Sequence, residues 1–316
     1  MKILVNCDVN LFEAKRDVTA LKQIEFMQKL HPDIMYVGNG CKNTNFEEAM
    51  INFKPDVVFF AADFKYNQIR WSKNIRCVKV ACYQDFWDEL EIRCKILQDN
   101  NIHGLITKNY IPEKYSLLAK NIIHKVNPSG CDEEIFKPIY TEKKYDILMS
   151  GYTWRERYPA RHRLFNIINS ISHKIKVHYR CHKGYHYKDP KEKRNEQEKY
   201  NAEINLAKFA LAGTALDENL HMQKTWEIPA TSAICITDGN DNEPDAEKIK
   251  KHSIVLDLNS TDKQISDRIL SMVKNYDSSF SKKANSIVES YASLSHRTQQ
   301  LLDSIYSIYE ESSRFI

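Results

Sequence analysis

Apolar runs of four to six residues recur along this chain, separated by stretches with helical spacing. "KILVN" (2–6), "DIMYVG" (33–38), "DVVFFAA" (56–62), "CVKVACY" (77–83) and "IHGLIT" (102–107) read as strands. Residues 18–30, 46–53, 88–99 and 112–120 read as helices between and after them. A strand that is apolar on both sides must be covered on both faces. Strands of that kind alternating with helices form βαβ units around a buried parallel sheet.

The alternation stops at "NPSGCDEEIFKPIYTEKKYD" (127–146), whose prolines, glycine and mixed charge read as a linker. A second set follows: strand "YDILMSG" (145–151), helix 159–172, strand "IKVHYR" (175–180), a helix around 196–205 and a short strand near 207–212. Then come a helix–strand unit, "KTWEIPATSAICITD" (224–238), a helix near 245–251, strand "SIVLDL" (253–258) and helices from 261 to 311. The expected fold is α/β: two Rossmann-like, doubly wound domains facing across a cleft. The first spans 1–126, the linker 127–144 and the second 145–276, followed by a C-terminal helical segment over 277–316. Ligands of such sheets sit beyond the carboxyl ends of the strands.

Composition removes several alternatives. A chain of 316 residues is comfortable as two domains, and a formal net charge of +4 argues against a protein that coats nucleic acid. No stretch approaches the ~20 apolar residues of a membrane span. "MKILVNCDVN" meets Asn6 and Asp8 too early for a signal-peptide core. The eight cysteines are scattered singly with no CxxC pair, which reads as reduced thiols and a cytoplasmic location. Neither GxGxxG nor GxxxxGK[ST] occurs, so a nucleotide site here is built some other way.

Five short segments, in order, carry a likeness: "GCDEEIFKPI", "YDILMSGYTWRERYPARHRLF", "YNAEINLAKFALAG", "WEIPATSAICITD" and "YASLSHRTQQLL". Together they resemble the GT-B glycosyltransferases, most of all the CgeB (spore-maturation) type within the group-1-like enzymes. The likeness covers residues 127–305; the N-terminal half matches only in its strand–helix order. It implies transfer of a hexose from a UDP- or GDP-sugar to an acceptor hydroxyl, with the nucleotide sugar as substrate and no cofactor or metal. Glycan, protein and nucleic acid are the acceptor classes it leaves open. It also implies that the helix over 277–311 crosses back onto the first domain, although a dimerisation helix has the same periodicity.

The residue chemistry fits a nucleotide sugar. An ionised Glu227 can accept two hydrogen bonds from a ribose diol, and the resemblance gives it that role; the bland alternative is a carboxylate capping its own helix. "WRERYPARHR" supplies Arg155, Arg157, Arg161 and Arg163, whose planar forks suit phosphate oxygens, against the default of solvated helix-face arginines. Arg180, Lys224 and Thr225 complete the donor-side candidates, and Tyr179 is a candidate to flank the base.

Two departures from the family pattern stand out. A first glutamate eight residues before Glu227 would fall at Asn219, so either a one-residue shift brings Glu218 into place or that acidic role is absent. Ser232 stands where relatives carry glycine. A general base from the first domain would come from Asp8, Asp63 or Asp85, the last in "CYQDFWDE" beside aromatic residues suited to sugar stacking. Each is also an ordinary loop or cap aspartate. "HYRCHKGYH" has zinc-binding composition in His178, Cys181, His182 and His186 but no paired-ligand spacing. The charge run 188–199 reads as a solvated face, with acceptor contact as the minority reading. A catalytically silent GT-B binding module and a phage-type sugar transferase acting on DNA are the competing functions.

Overall fold

The computed structural model describes residues 1–7, 18–61, 77–83, 89–181, 190–216, 220–239 and 241–315. The chain forms two compact units, one of residues 1–128 with 297–316 and the other of residues 129–296.

The first unit is built on a parallel sheet of β1 (Ile3–Asn6), β2 (Ile34–Val37), β3 (Val57–Phe60), β4 (Val78–Tyr83), β5 (Gly104–Thr107) and β6 (Ile123–Val126). Its order among the described strands is β2-β1-β3-β4-β5-β6. Helices α1 (Val18–Leu30), α2 (Phe46–Phe53) and α3 (Leu90–Asp99) are the connections. Strand side chains alternate between faces, so β1 sends Ile3 and Val5 to one side and Leu4 to the other. Ile3, Val5, Val57, Phe59, Val78, Val80 and Ile106 form one core with Leu301, Leu302, Ile305 and Ile308 from the end of the chain. Each of those four burials stabilises by roughly 1.5–3 kcal/mol. Gly104 permits the contact, because a Cβ there would stand 2.4 Å from Ile308 Cγ2.

The sequence reading misses β6, whose "IHKV" mixes polar and apolar residues and stays half-buried at the sheet edge. The helix expected over 112–120 is a 3₁₀ segment, Glu113–Ala119.

The second unit repeats the topology. Strands β7 (Tyr145–Ser150), β8 (Val177–Arg180), β9 (Ala207–Leu211), β10 (Ile234–Asp238) and β11 (Ser253–Leu256) run parallel in the order β11-β10-β9-β7-β8. Helix α4 (Pro159–Ser170) packs Leu164, Ile167 and Ile168 on the face carrying Ile147, Met149, Phe209 and Ile236. Helix α5 (Pro190–Asn205) packs Tyr200 and Ile204 on the opposite face, against Leu148, Ala210 and Cys235. Helices α7 (Ala246–His252) and α8 (Asp262–Lys274) come after β10 and β11. In each sheet the first strand has its sequence successors on opposite sides. That is the switch point where open α/β sheets bind ligands.

Residues 129–144 have linker composition yet pack into this unit, with Cys131, Ile135 and Phe136 in its core. Lys143 donates to the Asn205 carbonyl at 2.9 Å and to Ser232 Oγ at 2.8 Å, and Ser232 Oγ donates to Asn205 Oδ1 at 2.8 Å. Ser232, where the resemblance expects glycine, is thus part of a hydrogen-bonded knot. The helix expected over 277–311 divides into α9 (Ser278–Tyr291) and α10 (Leu294–Ser312). The division falls where Cys131 donates its amide to the Ala292 carbonyl and accepts the Leu294 amide, both at 2.8 Å. Glu133 then accepts the Leu294 amide at 2.9 Å and the Ser295 hydroxyl at 2.8 Å, satisfying the new helix start.

Candidate functional site

At the carboxyl end of β7 the chain turns through Ser150-Gly151. Gly151 has φ +103°, a backbone region that costs a side-chain-bearing residue strain. A Cβ there would stand 2.8 Å from Lys224 Nζ and 3.1 Å from Arg161 Nη1. Two cationic groups, from chain positions far apart, therefore converge on the space the missing side chain leaves.

Arg161, in the first turn of α4, is buried at 4% exposure. Its Nε donates to the Ala212 carbonyl at 3.2 Å, Nη2 to the Gly213 carbonyl at 3.1 Å and Nη1 to the Tyr152 carbonyl at 3.2 Å. The guanidinium also lies 4.3 Å from the Tyr158 ring centroid. It ties the ends of β7 and β9 together at the switch point. Its charge reaches Asp238, a buried acid whose oxygens accept from the Thr214 amide, at 2.8 Å, and from the Thr214 hydroxyl.

Lys224 and Glu227 lie one turn apart on α6 (Lys224–Glu227), a helix of only four residues. Lys224 Nζ donates to Ser150 Oγ at 2.9 Å and sits 5.2 Å from the Tyr200 ring centroid. Burial, then the Arg161 guanidinium, press its ammonium well below the ordinary lysine value, while Glu227 pulls the other way and Arg180 adds to the depression. Glu227 is buried at 7% exposure, and burial pushes its carboxyl well above the ordinary range against the opposing charges of Lys224 and Lys193. No described residue donates a hydrogen bond to that carboxylate. It makes no cap bond on its own helix either, so capping does not account for it. Glu227 is the last residue of a single helical turn, so little helix dipole acts on it.

The other donor-side candidates have varied surroundings. Arg180, at the end of β8, pairs with Glu203 and, at 3.2 Å, with Glu196, and its guanidinium is 5.3 Å from the Tyr200 ring centroid. Its charge is therefore largely answered within the unit. Arg155 is exposed in the turn after β7, and Arg157 is half-buried there, its carbonyl accepting the Leu216 amide at 2.9 Å. Arg163 turns away and binds Asp262 and the Ser260 carbonyl, both at 2.7 Å. Thr225 is fully buried, its hydroxyl without a hydrogen-bond partner among the described residues. Tyr179 is 45% exposed and donates to Asn169 Oδ1 at 3.1 Å. Asp8, Asp63, Asp85 and Glu218 lie outside the described residues.

Among the described residues no group of three or more His, Cys, Asp or Glu is placed to hold a metal ion. His178 stacks on Tyr145 at 4.6 Å and pairs with Glu203 at 3.2 Å; His182 and His186 lie outside the described residues. From residue 190 on the charge run lies in α5, where Arg194 pairs with Glu198 at 3.1 Å and Lys199 with Glu196 at 3.0 Å. No described helix is long and apolar enough to cross a membrane.

The sequence reading does not single out Ser150 and Tyr200, which lie beside Lys224. Their hydroxyls are 2.9 Å apart. The one available signal was Tyr200 on the apolar stripe of a helix otherwise rich in Lys, Glu and Asn, shared with Ile204 one turn on.

No family model and no curated protein matches the chain. Solved structures do. Sucrose-phosphate synthase from Thermosynechococcus elongatus superposes with TM-score 0.65 at 9% identity, over 99% of this chain and 100% of that one. A glycosyltransferase from Rickettsia africae gives 0.60 at 11%, over 100% and 99%. Anabaena HepE, solved with UDP and glucose, gives 0.59 at 10%, over 97% and 100%. The chain has the two-sheet α/β fold of these GT-B glycosyltransferases along its whole length.

Proposed function

We propose that the protein is a glycosyltransferase that moves a hexose from a UDP- or GDP-sugar to an acceptor hydroxyl without a metal ion. The observation that carries this reading is the convergence of Lys224 and Arg161 on Gly151, with the Glu227 carboxylate one turn away. A nucleoside diphosphate presents two things to recognise beside its base: an anionic diphosphate and a ribose diol. The cations suit the first, and a carboxylate that receives no hydrogen bond from the described residues suits the second. HepE, which shares the fold, has been solved with UDP and with UDP-glucose.

Chemically, Lys224 and Arg161 would stabilise the negative charge that develops on the departing diphosphate, in a setting of low dielectric. The Glu227 carboxylate would fix the ribose and so the placement of the anomeric carbon. An acceptor base drawn from Asp63 or Asp85, with Glu218 as a further acid, belongs to the same proposal. So does a second unit that carries the donor.

A thermal-shift screen against UDP, GDP, ADP, CMP and TDP and their sugars, followed by turnover assays with EDTA present, tests the reading. Stabilisation by one nucleotide and release of that nucleotide from its sugar is the expected result. Silence across the whole panel overturns it. Tight binding with no turnover on any acceptor moves the chain to a noncatalytic binding module.

A further inference from the structure

Ser150 and Tyr200 sit behind the cations, and neither has a role in the reading above. Ser150 is the last residue of β7 and is 3% exposed. Tyr200 projects from α5 into the core, edge-on to Phe136 at 6.1 Å. The Ser150 oxygen is 2.9 Å from the Tyr200 hydroxyl and accepts from Lys224 Nζ at 2.9 Å. The Tyr200 ring has the Lys224 ammonium 5.2 Å and the Arg180 guanidinium 5.3 Å from its centroid. Burial keeps the phenol protonated, pushing it far above its ordinary value.

A proton count shows what this arrangement leaves over. The two hydroxyls carry two protons, and only one can lie between the oxygens. The other has no acceptor among the described residues. Lys224 has three N–H groups and spends one on Ser150. The N–H groups that Lys224 has left lie at the Gly151 turn, where an anion's oxygens would accept them.

The anchoring is not energetically idle. A lysine side chain has four rotatable bonds, and fixing them costs rotamer entropy. Arg161 and Arg180 repel the ammonium, and Glu227 attracts it from one turn away. Without the Ser150 oxygen, the ammonium's best remaining partner in the unit is Glu227. Collapse onto that carboxylate would remove both groups from a ligand at once.

We propose that Ser150 and Tyr200 are positioning residues for the nucleoside diphosphate, the hydroxyl pair holding the Lys224 ammonium at the Gly151 turn where the phosphates bind. The proposal rests on the donor-site reading above. A preplaced ammonium loses less freedom when the ligand arrives, which is how such a pair raises affinity.

Isothermal titration calorimetry on the full chain tests it, first with UDP, GDP, ADP, CDP and TDP, then with the tightest binder beside its phosphate-free nucleoside. Tyr200→Phe keeps the ring and removes only the hydroxyl; Ser150→Ala removes the other oxygen. Each should weaken the diphosphate about fivefold to tenfold, the effect of one net hydrogen bond. The nucleoside affinity should stay unchanged, and the double variant should lose little more than either single one, because the two groups act as one unit. A merely structural role lowers both affinities together along with the melting temperature, and that result overturns the proposal. Unchanged diphosphate binding in both variants also overturns it while leaving the donor-site reading intact. A wild-type chain that binds none of the five diphosphates removes the donor-site reading and this proposal with it.

Discussion

Lys224 Nζ donates to Ser150 Oγ at 2.9 Å across 74 positions of sequence, and the same ammonium would stand 2.8 Å from a Cβ added at Gly151. The glycine is therefore part of the site, because its absent side chain is the space into which the ammonium projects. Gly151→Ala inserts a methyl group between Lys224 and Arg161 and forces a strained φ. Calorimetric affinity for the nucleoside diphosphate should fall at least about tenfold, with stability reduced by roughly 1–3 kcal/mol in a denaturant titration. Unaltered affinity would place the ligand elsewhere.

Glu227→Gln tests the ribose contact. The amide is nearly isosteric and removes a charge that burial disfavours, so the melting temperature should hold or rise. Affinity for the nucleoside diphosphate should drop about tenfold, the order of a charge-assisted hydrogen bond. A 2′,3′-dideoxy analogue lacks the diol and should bind both proteins alike. A drop that persists with the dideoxy analogue would deny Glu227 the ribose.

Binding should also depend on pH. Lys224 loses its proton earlier than an ordinary lysine, because burial and Arg161 disfavour the ammonium. Glu227 gains its negative charge late, because burial disfavours the carboxylate. Raising the pH through neutrality therefore removes a positive charge and adds a negative one beside the diphosphate. Loss of the ammonium weakens the hold on the phosphates, whereas ionisation of Glu227 strengthens the ribose contact that the nucleoside shares, so the ratio of diphosphate to nucleoside affinity should fall from neutral to alkaline pH. Lys224→Arg, whose charge does not titrate there, should flatten the alkaline part of the profile.

A fourth expectation concerns the first unit. Gly104→Ala drives a Cβ into Ile308, whose Cγ2 would be 2.4 Å away. Overpacking of that kind costs about 1–3 kcal/mol. Ile308→Ala added to Gly104→Ala should recover more stability than its own cavity predicts, giving a favourable coupling in a double-mutant cycle. Simple additivity would mean the two residues do not meet.

The second-unit strands could be read from apolar runs such as "DILMS" and "AICITD" because a strand buried on both faces advertises itself locally. Strand β6 was hidden because its four residues, "IHKV", mix polar with apolar side chains and stay half-buried throughout. The break between α9 and α10 was hidden too, since the groups that stabilise it, Cys131 and Glu133, lie about 160 positions away in the chain. Glu227 was legible as an odd carboxylate in an apolar segment. Its freedom from capping was not, because that depends on what lies beside it.

The sequence alone determined the alternation of strand and helix, the repetition of that pattern in two halves, and the charged residues available to a site. Those properties follow from nearest neighbours and short periods along the chain. Only the tertiary structure decided that Lys224 and Arg161 meet at Gly151, that Ser150 bonds both Lys224 and Tyr200, and that Arg163 and Arg180 pair with acids of their own unit. The strand order brings residues 50 and 74 positions apart into hydrogen-bond contact, and no local pattern encodes which side chains a parallel sheet will carry to the same end.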